Sequence, residues 1–175
     1  MKTKDIVIFL ALILLACNRN NTNRGAESTI TMQTKQQVMS IALDYVRVKF
    51  NDSEENVLAD GKVKIGDNQL TYIADPKEIV LGLIDNDENE DAIITISSQK
   101  GKFRSKTEQL ILISTGGKLV LSQVISDNMK IIGLKDRIVT GEISKFPPDS
   151  PNVDCPICQE IVKYHFKDDK LVKIN

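Results

Sequence analysis

The sequence predicts an α+β fold that is mainly β, with one N-terminal helix packed on an antiparallel meander sheet of about 7–9 strands. One segment, residues 38–46, repeats apolar residues at helical spacing, whereas the chain after it is a succession of short apolar runs. Gly-, Asn- and Asp-rich turns separate many of these runs. Such short connections favour antiparallel pairing, because parallel strands need long crossovers.

The N-terminus has the features of an export signal. A basic start, Met1-Lys2-Thr3-Lys4, precedes eleven apolar residues that end at Ala16. A membrane-spanning helix needs about 20 apolar residues, so this run has the length of a signal peptide. Its end, Leu14-Leu15-Ala16-Cys17, resembles the lipobox of bacterial lipoproteins. In that family a diacylglycerol is attached to the cysteine and the chain is cut just before it.

The lipobox resemblance implies a signal peptide over residues 1–16 and a lipid on Cys17. The alternatives are an ordinary signal peptide, or an N-terminal helix with an incidental cysteine. Residues 18–31 are largely polar and lack apolar periodicity. We therefore expect residues 17–31 to comprise the lipidated cysteine and a flexible tether with a mean reach of roughly 20 Å.

Residues 32–175 have a length that fits a single globular, β-rich domain. The whole chain carries a formal net charge of −1. A balance so close to neutral gives no electrostatic footprint for nucleic acid.

One helix is expected near the start of this domain. Thr34-Lys35-Gln36-Gln37 has the form of a capping box, and Asn51-Asp52-Ser53 marks the predicted end. The apolar residues between them fall at i, i+3, i+4, i+7 and i+8, which places them on one helical face. They are Val38, Ile41, Ala42, Tyr45 and Val46.

The strand-like runs follow the helix. The run Leu110–Ile113 is apolar throughout, which indicates a central strand covered on both faces. Gly116-Gly117 turns that strand into the next one. The runs lie at residues 61–65, 69–73, 78–84, 92–97, 109–113, 119–125, 129–134, 137–143, 161–166 and 171–174.

The most acidic segment is Asp85–Asp91, in which five of seven residues are acidic and none is basic. A bound Ca²⁺, which takes about 6–8 oxygen ligands, would relieve the repulsion among them. Asp85, Asp87 and Asn89 have the spacing of the first three EF-hand ligands. The rest of that motif is absent, since Glu90 stands where its glycine belongs.

The segment instead resembles the strand–acidic loop–strand element of FG-GAP and VCBS repeats. Matching the last acid of that element to Asp91 places Asp85 and Asp87 on its second and third ligand positions. Leu83 and Glu88 depart from its first acidic position and its turn glycine. The resemblance implies a calcium site at Asp85, Asp87, Asn89 and Asp91. The alternative is a solvated acidic turn that keeps the hairpin soluble.

Cys155-Pro156-Ile157-Cys158 is a C-x-x-C motif after a proline-containing loop, residues 145–154. Export permits oxidation, and Pro156 suits a β-turn whose ends lie within about 7 Å, so we predict a disulfide between Cys155 and Cys158. It would pin the start of the final hairpin. Zinc is one alternative, but it needs further ligands and His165 is the only histidine. A thioredoxin-like redox pair is the other, and it would need a helix after the motif.

The order of acidic turn, meander, cysteine pair and closing hairpin resembles that of small exported bacterial lipoproteins. This resemblance implies a fold type and a cellular location, not an activity. No G-x-S-x-G motif or phosphate loop is present. The remaining enzymatic alternative is carboxylate-only catalysis by Asp85, Asp87 or Asp91.

The sequence therefore predicts a lipid-anchored, non-catalytic binding or structural module of the cell envelope, facing the periplasm or exposed at the cell surface. The alternative function is an immunity or inhibitor protein against a toxin or hydrolase, with the acidic loop as its epitope. The expected partners are the membrane, through the lipid, and an envelope or toxin protein.

Overall fold

The computed structural model describes residues 19–49, 54–66, 70–100, 103–147, 150 and 155–174. The predicted signal peptide and Cys17 lie outside these residues. The described part contains one α-helix and ten strands in two antiparallel sheets, so the predicted fold class is confirmed. Contacts divide the chain after Gln36, and both sheets belong to the unit Gln37–Asn175. In the described ranges, no helix combines the length and apolar character needed to cross a bilayer.

The helix, α1, spans Arg19–Lys49. Its predicted start at Thr34 was therefore wrong, and the predicted tether is helical from Arg19 onward. Apolar periodicity marks only the part of a helix that packs against a core. The largely polar residues 19–33 offer no such face, so their helical conformation left no periodic signal in the sequence.

The first sheet is a six-stranded antiparallel meander in which the strands lie side by side in chain order. The runs at residues 69–73 and 78–84 belong to one strand, which carries an irregularity between Ala74 and Ile79. The strands are β1 (Glu54–Val57), β2 (Val63–Gly66), β3 (Thr71–Gly82), β4 (Asp91–Lys100), β5 (Phe103–Thr115) and β6 (Lys118–Ile125).

The second sheet has four antiparallel strands in the order β10-β9-β8-β7. The sequence predicted one sheet, and this was wrong because the chain leaves the first sheet after β6. Asn128 lies there with a φ of 51°, a left-handed conformation that asparagine tolerates. The strands are β7 (Met129–Lys135), β8 (Ile138–Ser144), β9 (Gln159–Lys167) and β10 (Lys170–Lys173).

Two polar side chains of β5 bind the start of the second sheet. The hydroxyl of Thr107 donates to the carbonyl of Met129 at 3.2 Å, and the side-chain amide of Gln109 donates to the same oxygen. Met129 in turn packs directly on Gly141 of β8, where a Cβ atom would lie 2.4 Å from the methionine sulfur. These contacts fix where the chain crosses from one sheet to the other.

Two apolar cores cover opposite faces of the first sheet. Leu110 and Leu112 of β5 lie in the core shared with α1, whereas Ile111 between them lies in the core shared with the second sheet. Successive side chains of a strand point to opposite faces, so an unbroken apolar run fits a sheet covered on both sides. The prediction that residues 109–113 form a central strand covered on both faces is confirmed.

A buried carboxylate fastens the end of α1 to β5. Glu108 is 5% exposed, and its Oε2 lies 2.7 Å from the Lys49 ammonium and 3.1 Å from the Tyr45 hydroxyl. Burial disfavours the charged carboxylate, but the hydrogen bond and charge of Lys49, helped by Tyr45, outweigh it and lower the pKa of Glu108. The pair therefore holds the helix against the sheet as a charged contact.

Candidate functional site: the acidic loop

The acidic loop joins β3 to β4 and begins beside the buried edge of the second core, where Ile84 is 1% exposed. Asp91, the first residue of β4, is fully buried. Its Oδ2 accepts the backbone N–H of Ile84 at 2.8 Å and that of Asp85 at 3.3 Å. Its Oδ1 accepts the backbone N–H of Ser114 at 2.9 Å. The two oxygens thus tie both ends of the loop to β5.

The middle of the loop is a chain of short side-chain turns. Oδ1 of Asp85 accepts the backbone N–H of Asp87 at 2.9 Å, and Oδ1 of Asp87 accepts that of Asn89 at 2.8 Å. The amide of Asn89 also donates to Oδ2 of Asp87 at 2.7 Å. These are Asx-type turns, which aspartate forms readily because its short side chain reaches the backbone two residues ahead.

The pKa values of the Asp85 and Asp87 carboxyl groups are shifted in opposite directions. Burial raises the pKa of Asp85, and the nearby charges of Asp91 and Asp87 act in the same direction. The side-chain and backbone hydrogen bonds of Asn89 lower the pKa of Asp87, and Arg137 adds to this effect. Asp87 is therefore the carboxyl that the loop favours in its charged form.

Arg137 approaches the loop from the second sheet. It lies in the two-residue turn between β7 and β8, where Asp136 and Arg137 have φ values of 52° and 63°. Its Nη2 donates to the backbone carbonyl of Asp87 at 3.2 Å. Arg137 was not predicted as part of the site, because it lies fifty positions from Asp87 along the chain and only the turn between two later strands brings it there.

The acidic loop faces a second acidic turn across a cleft of about 400 Å³. That turn, Lys167–Asp169, joins β9 to β10, and both of its aspartates have positive φ. A two-residue hairpin of type I′ needs positive φ at both central positions, which aspartate accepts. The carboxylates of two separate loops thereby face one polar cleft, which is lined by Asp85, Asn86, Asp87, Phe166, Lys167, Asp168 and Asp169.

The four predicted calcium ligands are not equivalent. Asp85, Asp87 and Asn89 hold one another in successive turns, while Asp91 is turned inward toward backbone amides. Within the described ranges, no group of three or more acidic, histidine or cysteine side chains is arranged to hold a metal ion. The alternative of a fully solvated turn does not hold for Asp91, which is buried.

The sulfur atoms of Cys155 and Cys158 are bonded at 2.06 Å, as the disulfide interpretation predicted. The motif forms a 3₁₀ turn, Pro156–Cys158, in which the N–H of Cys158 donates to the carbonyl of Cys155 at 3.0 Å. The backbone N–H of Lys145 donates to the carbonyl of Cys158 at 3.0 Å. The turn is thus tied to the end of β8, directly before β9 begins.

His165 lies on β9 opposite the core-facing Val162 and Tyr164, as the alternation of that strand predicts. It pairs with Ile138 of β8 and Val172 of β10. It therefore lies on the outer face of the second sheet, away from the acidic cleft.

Comparisons with protein-family models, with curated proteins and with solved structures find no match for this chain.

Proposed function

We propose that this protein is an exported, lipid-anchored module of the cell envelope that binds or supports a partner and carries out no catalysis. The lipobox sequence Leu14-Leu15-Ala16-Cys17, after a basic start and an apolar run, carries this proposal. Two acyl chains on Cys17 would anchor the protein durably, because one chain alone gives only marginal membrane binding. The disulfide between Cys155 and Cys158 is consistent with an oxidising compartment.

The acidic loop supports a binding role. Its conformation is fixed at both ends by Asp91 and at its middle by Arg137, so little order has to be gained when a partner binds. Its exposed acidic residues, together with the turn at Asp168 and Asp169, present negative charge on one side of the domain. Such a surface suits a basic partner, and charge complementarity of this kind speeds association.

An immunity or inhibitor protein against a toxin or hydrolase is the second candidate. The same pre-ordered acidic surface favours it, because an inhibitor of a basic protein needs a rigid, charged epitope. The two proposed functions share a location at the cell envelope and differ in the partner that the protein binds.

Membrane fractionation tests the address. The wild-type protein is expected in the membrane fraction and in the detergent phase after phase partition. A Cys17→Ser variant exported with an ordinary cleavable signal peptide in place of residues 1–16 is expected to lose both properties. A variant that stays in the membrane fraction, or a wild-type protein recovered in the soluble fraction, would overturn the proposed anchor.

Affinity capture from the native envelope tests the binding role. Wild type is compared with an Asp85→Asn, Asp87→Asn variant and with an Asp127→Asn control, whose aspartate lies outside the cleft. A partner retained by wild type and control but lost by the loop variant supports the proposal. Equal capture by all three proteins contradicts it.

A further inference from the structure

The outer face of the second sheet is rich in positive charge, in contrast to the acidic cleft, and the two surfaces meet at Lys167, which also lines the cleft. Strand register identifies it, since core-facing residues such as Val139 and Tyr164 alternate with outward-facing ones. The outward positions, from β7 to β10, are Lys130, Gly133, Lys135, Ile138, Thr140, Glu142, Ser144, Gln159, Ile161, Lys163, His165, Lys167, Lys170 and Val172.

The face carries five lysines and one carboxylate. All five lysines are exposed, and none of them forms an ion pair with any residue that the structure describes. The carboxylate, Glu142, lies opposite Lys130 in the register but makes no ion pair with it at 4.0 Å or less. The acids Asp136, Asp168 and Asp169 lie in the turns at one end of the sheet and not on the face. A chain whose overall charge is −1 thus concentrates positive charge on one sheet surface.

Aliphatic side chains lie between these lysines. Ile161 is 54% exposed and Val172 is 42% exposed, and both point outward. An outward-facing strand position normally carries a polar residue when it faces only water. Lysine and β-branched aliphatic residues side by side suit a surface that is anionic at its outside and apolar a few ångströms deeper.

We propose that this outer face of the second sheet docks on an anionic phospholipid surface. The charged groups are lysines, which act as compact point charges, and not arginines, which recognise phosphates through paired hydrogen bonds. The face carries no Phe, Tyr or Trp, the residues enriched at protein interfaces and in stacking on nucleic-acid bases. Juxtamembrane lysines are attracted by anionic lipids. The proposal rests on the proposed membrane address for its setting, because an anchored domain meets the lipid surface at high effective concentration.

Vesicle co-sedimentation tests the face without the anchor. The probe is the unlipidated chain 17–175 with Cys17→Ser, which keeps both sheets and both cores because these lie in Gln37–Asn175. It is expected to bind vesicles of phosphatidylglycerol and phosphatidylcholine, to bind pure phosphatidylcholine vesicles at least tenfold more weakly, and to lose most of its binding at high salt. Equal binding to both vesicles, or no binding to either, overturns the proposal.

Matched charge variants locate the binding. Lys130→Gln, Lys135→Gln and Lys163→Gln together are expected to weaken binding roughly a hundredfold, at about fivefold per lysine. Lys77→Gln, Lys100→Gln and Lys118→Gln remove the same charge from exposed positions of the first sheet and are expected to leave binding within about threefold. An equal loss in both triple variants contradicts the proposal, since it would mean a general charge effect.

Ile161→Thr, which keeps a β-branched residue, tests the aliphatic part. It is expected to lower the vesicle binding that remains at high salt, while unchanged residual binding would show that this part of the proposal is wrong.

An acidic protein partner for this face would appear as binding to polyglutamate but not to the vesicles, which also overturns the lipid assignment. Because the probe lacks a lipid, these results are independent of whether Cys17 is modified.

Discussion

The buried carboxylate of Asp91 accepts the backbone N–H of Ser114 at 2.9 Å, which ties the start of β4 to β5. Its other oxygen binds the entry of the acidic loop at Ile84. One side chain thus sets the conformation of the most charged segment of the protein. An acidic loop of this composition would otherwise repel itself, and Asp91 explains how it is held in place.

Asp91→Ala is expected to lower the free energy of unfolding by about 3–5 kcal/mol, because it leaves three buried or partly buried backbone amides without their acceptor. Asp87→Ala is the control, since Asp87 is partly exposed and its carboxylate accepts hydrogen bonds from Asn89 within the loop. It is expected to cost less than about 1 kcal/mol. Urea denaturation measures both variants, and similar losses in the two would contradict the anchoring role of Asp91.

The ion pair between Glu108 and Lys49 makes the free energy of unfolding depend on pH. The pKa of Glu108 lies below its ordinary value of 4.5 in the folded protein, so its stabilisation is fully present above that pH. The stabilisation is lost as pH falls through the lowered pKa. Glu108→Gln is expected to cost about 1.5–3 kcal/mol near neutral pH, and the difference from wild type should shrink below pH 4.5.

Lys49→Met is the companion variant, because it removes the cation that lowers the pKa of Glu108 while keeping most of the apolar stem. Its free energy of unfolding should vary less with pH in the acidic range than that of wild type. A constant difference between wild type and Glu108→Gln from neutral to acidic pH would show that the pair does not stabilise the helix as a charged contact.

The disulfide between Cys155 and Cys158 is expected to contribute modestly to the free energy of unfolding. Cys155 and Cys158 are three residues apart, and closing so short a loop yields about 2 kcal/mol in the chain-entropy model. Replacing both cysteines by serine, or reducing the wild type, should lower the free energy of unfolding by that amount and leave the far-ultraviolet spectrum unchanged. Global unfolding on reduction would contradict this local role.

The predicted calcium site has a thermal test. An ion that binds only the folded protein raises its stability by about 2.7 kcal/mol at a hundred times its dissociation constant. A calcium ion held by Asp85 and Asp87 would raise the melting temperature of the wild type and of an Asp127→Asn control, and not that of Asp85→Asn or Asp87→Asn. An unchanged melting temperature on adding calcium or chelator to the wild type would refute the site.

The central strands were predictable because burial on both sides leaves a local signal. The run Leu110–Ile113 is apolar throughout, and the turn Gly116-Gly117 supplies the positive φ values that a tight hairpin needs. Strand β1, Glu54–Val57, was missed because all four of its side chains are exposed and show no alternation. The division into two sheets was missed because the segment after β6 looks like any other hairpin turn, and only distant contacts from Thr107 and Gln109 fix its course.

The acidic site was predictable in composition but not in geometry. The cluster of acids is visible in the sequence, yet it does not reveal that Asp91 is fully buried while Asp87 stays partly exposed. Arg137 and the turn at Asp168 and Asp169 reach the loop only through the pairing of later strands. Residues so far apart along the chain form no local motif, so a single sequence gives no sign that they lie close together.

The mass of the N-terminal peptide from protein made in a bacterial host tests the proposed anchor most directly. We expect a chain that begins at Cys17 and carries a diacylglyceryl group on that residue, and a Cys17→Ser variant that keeps residues 1–16. An unmodified Cys17, or a chain cut at any other position, would contradict it.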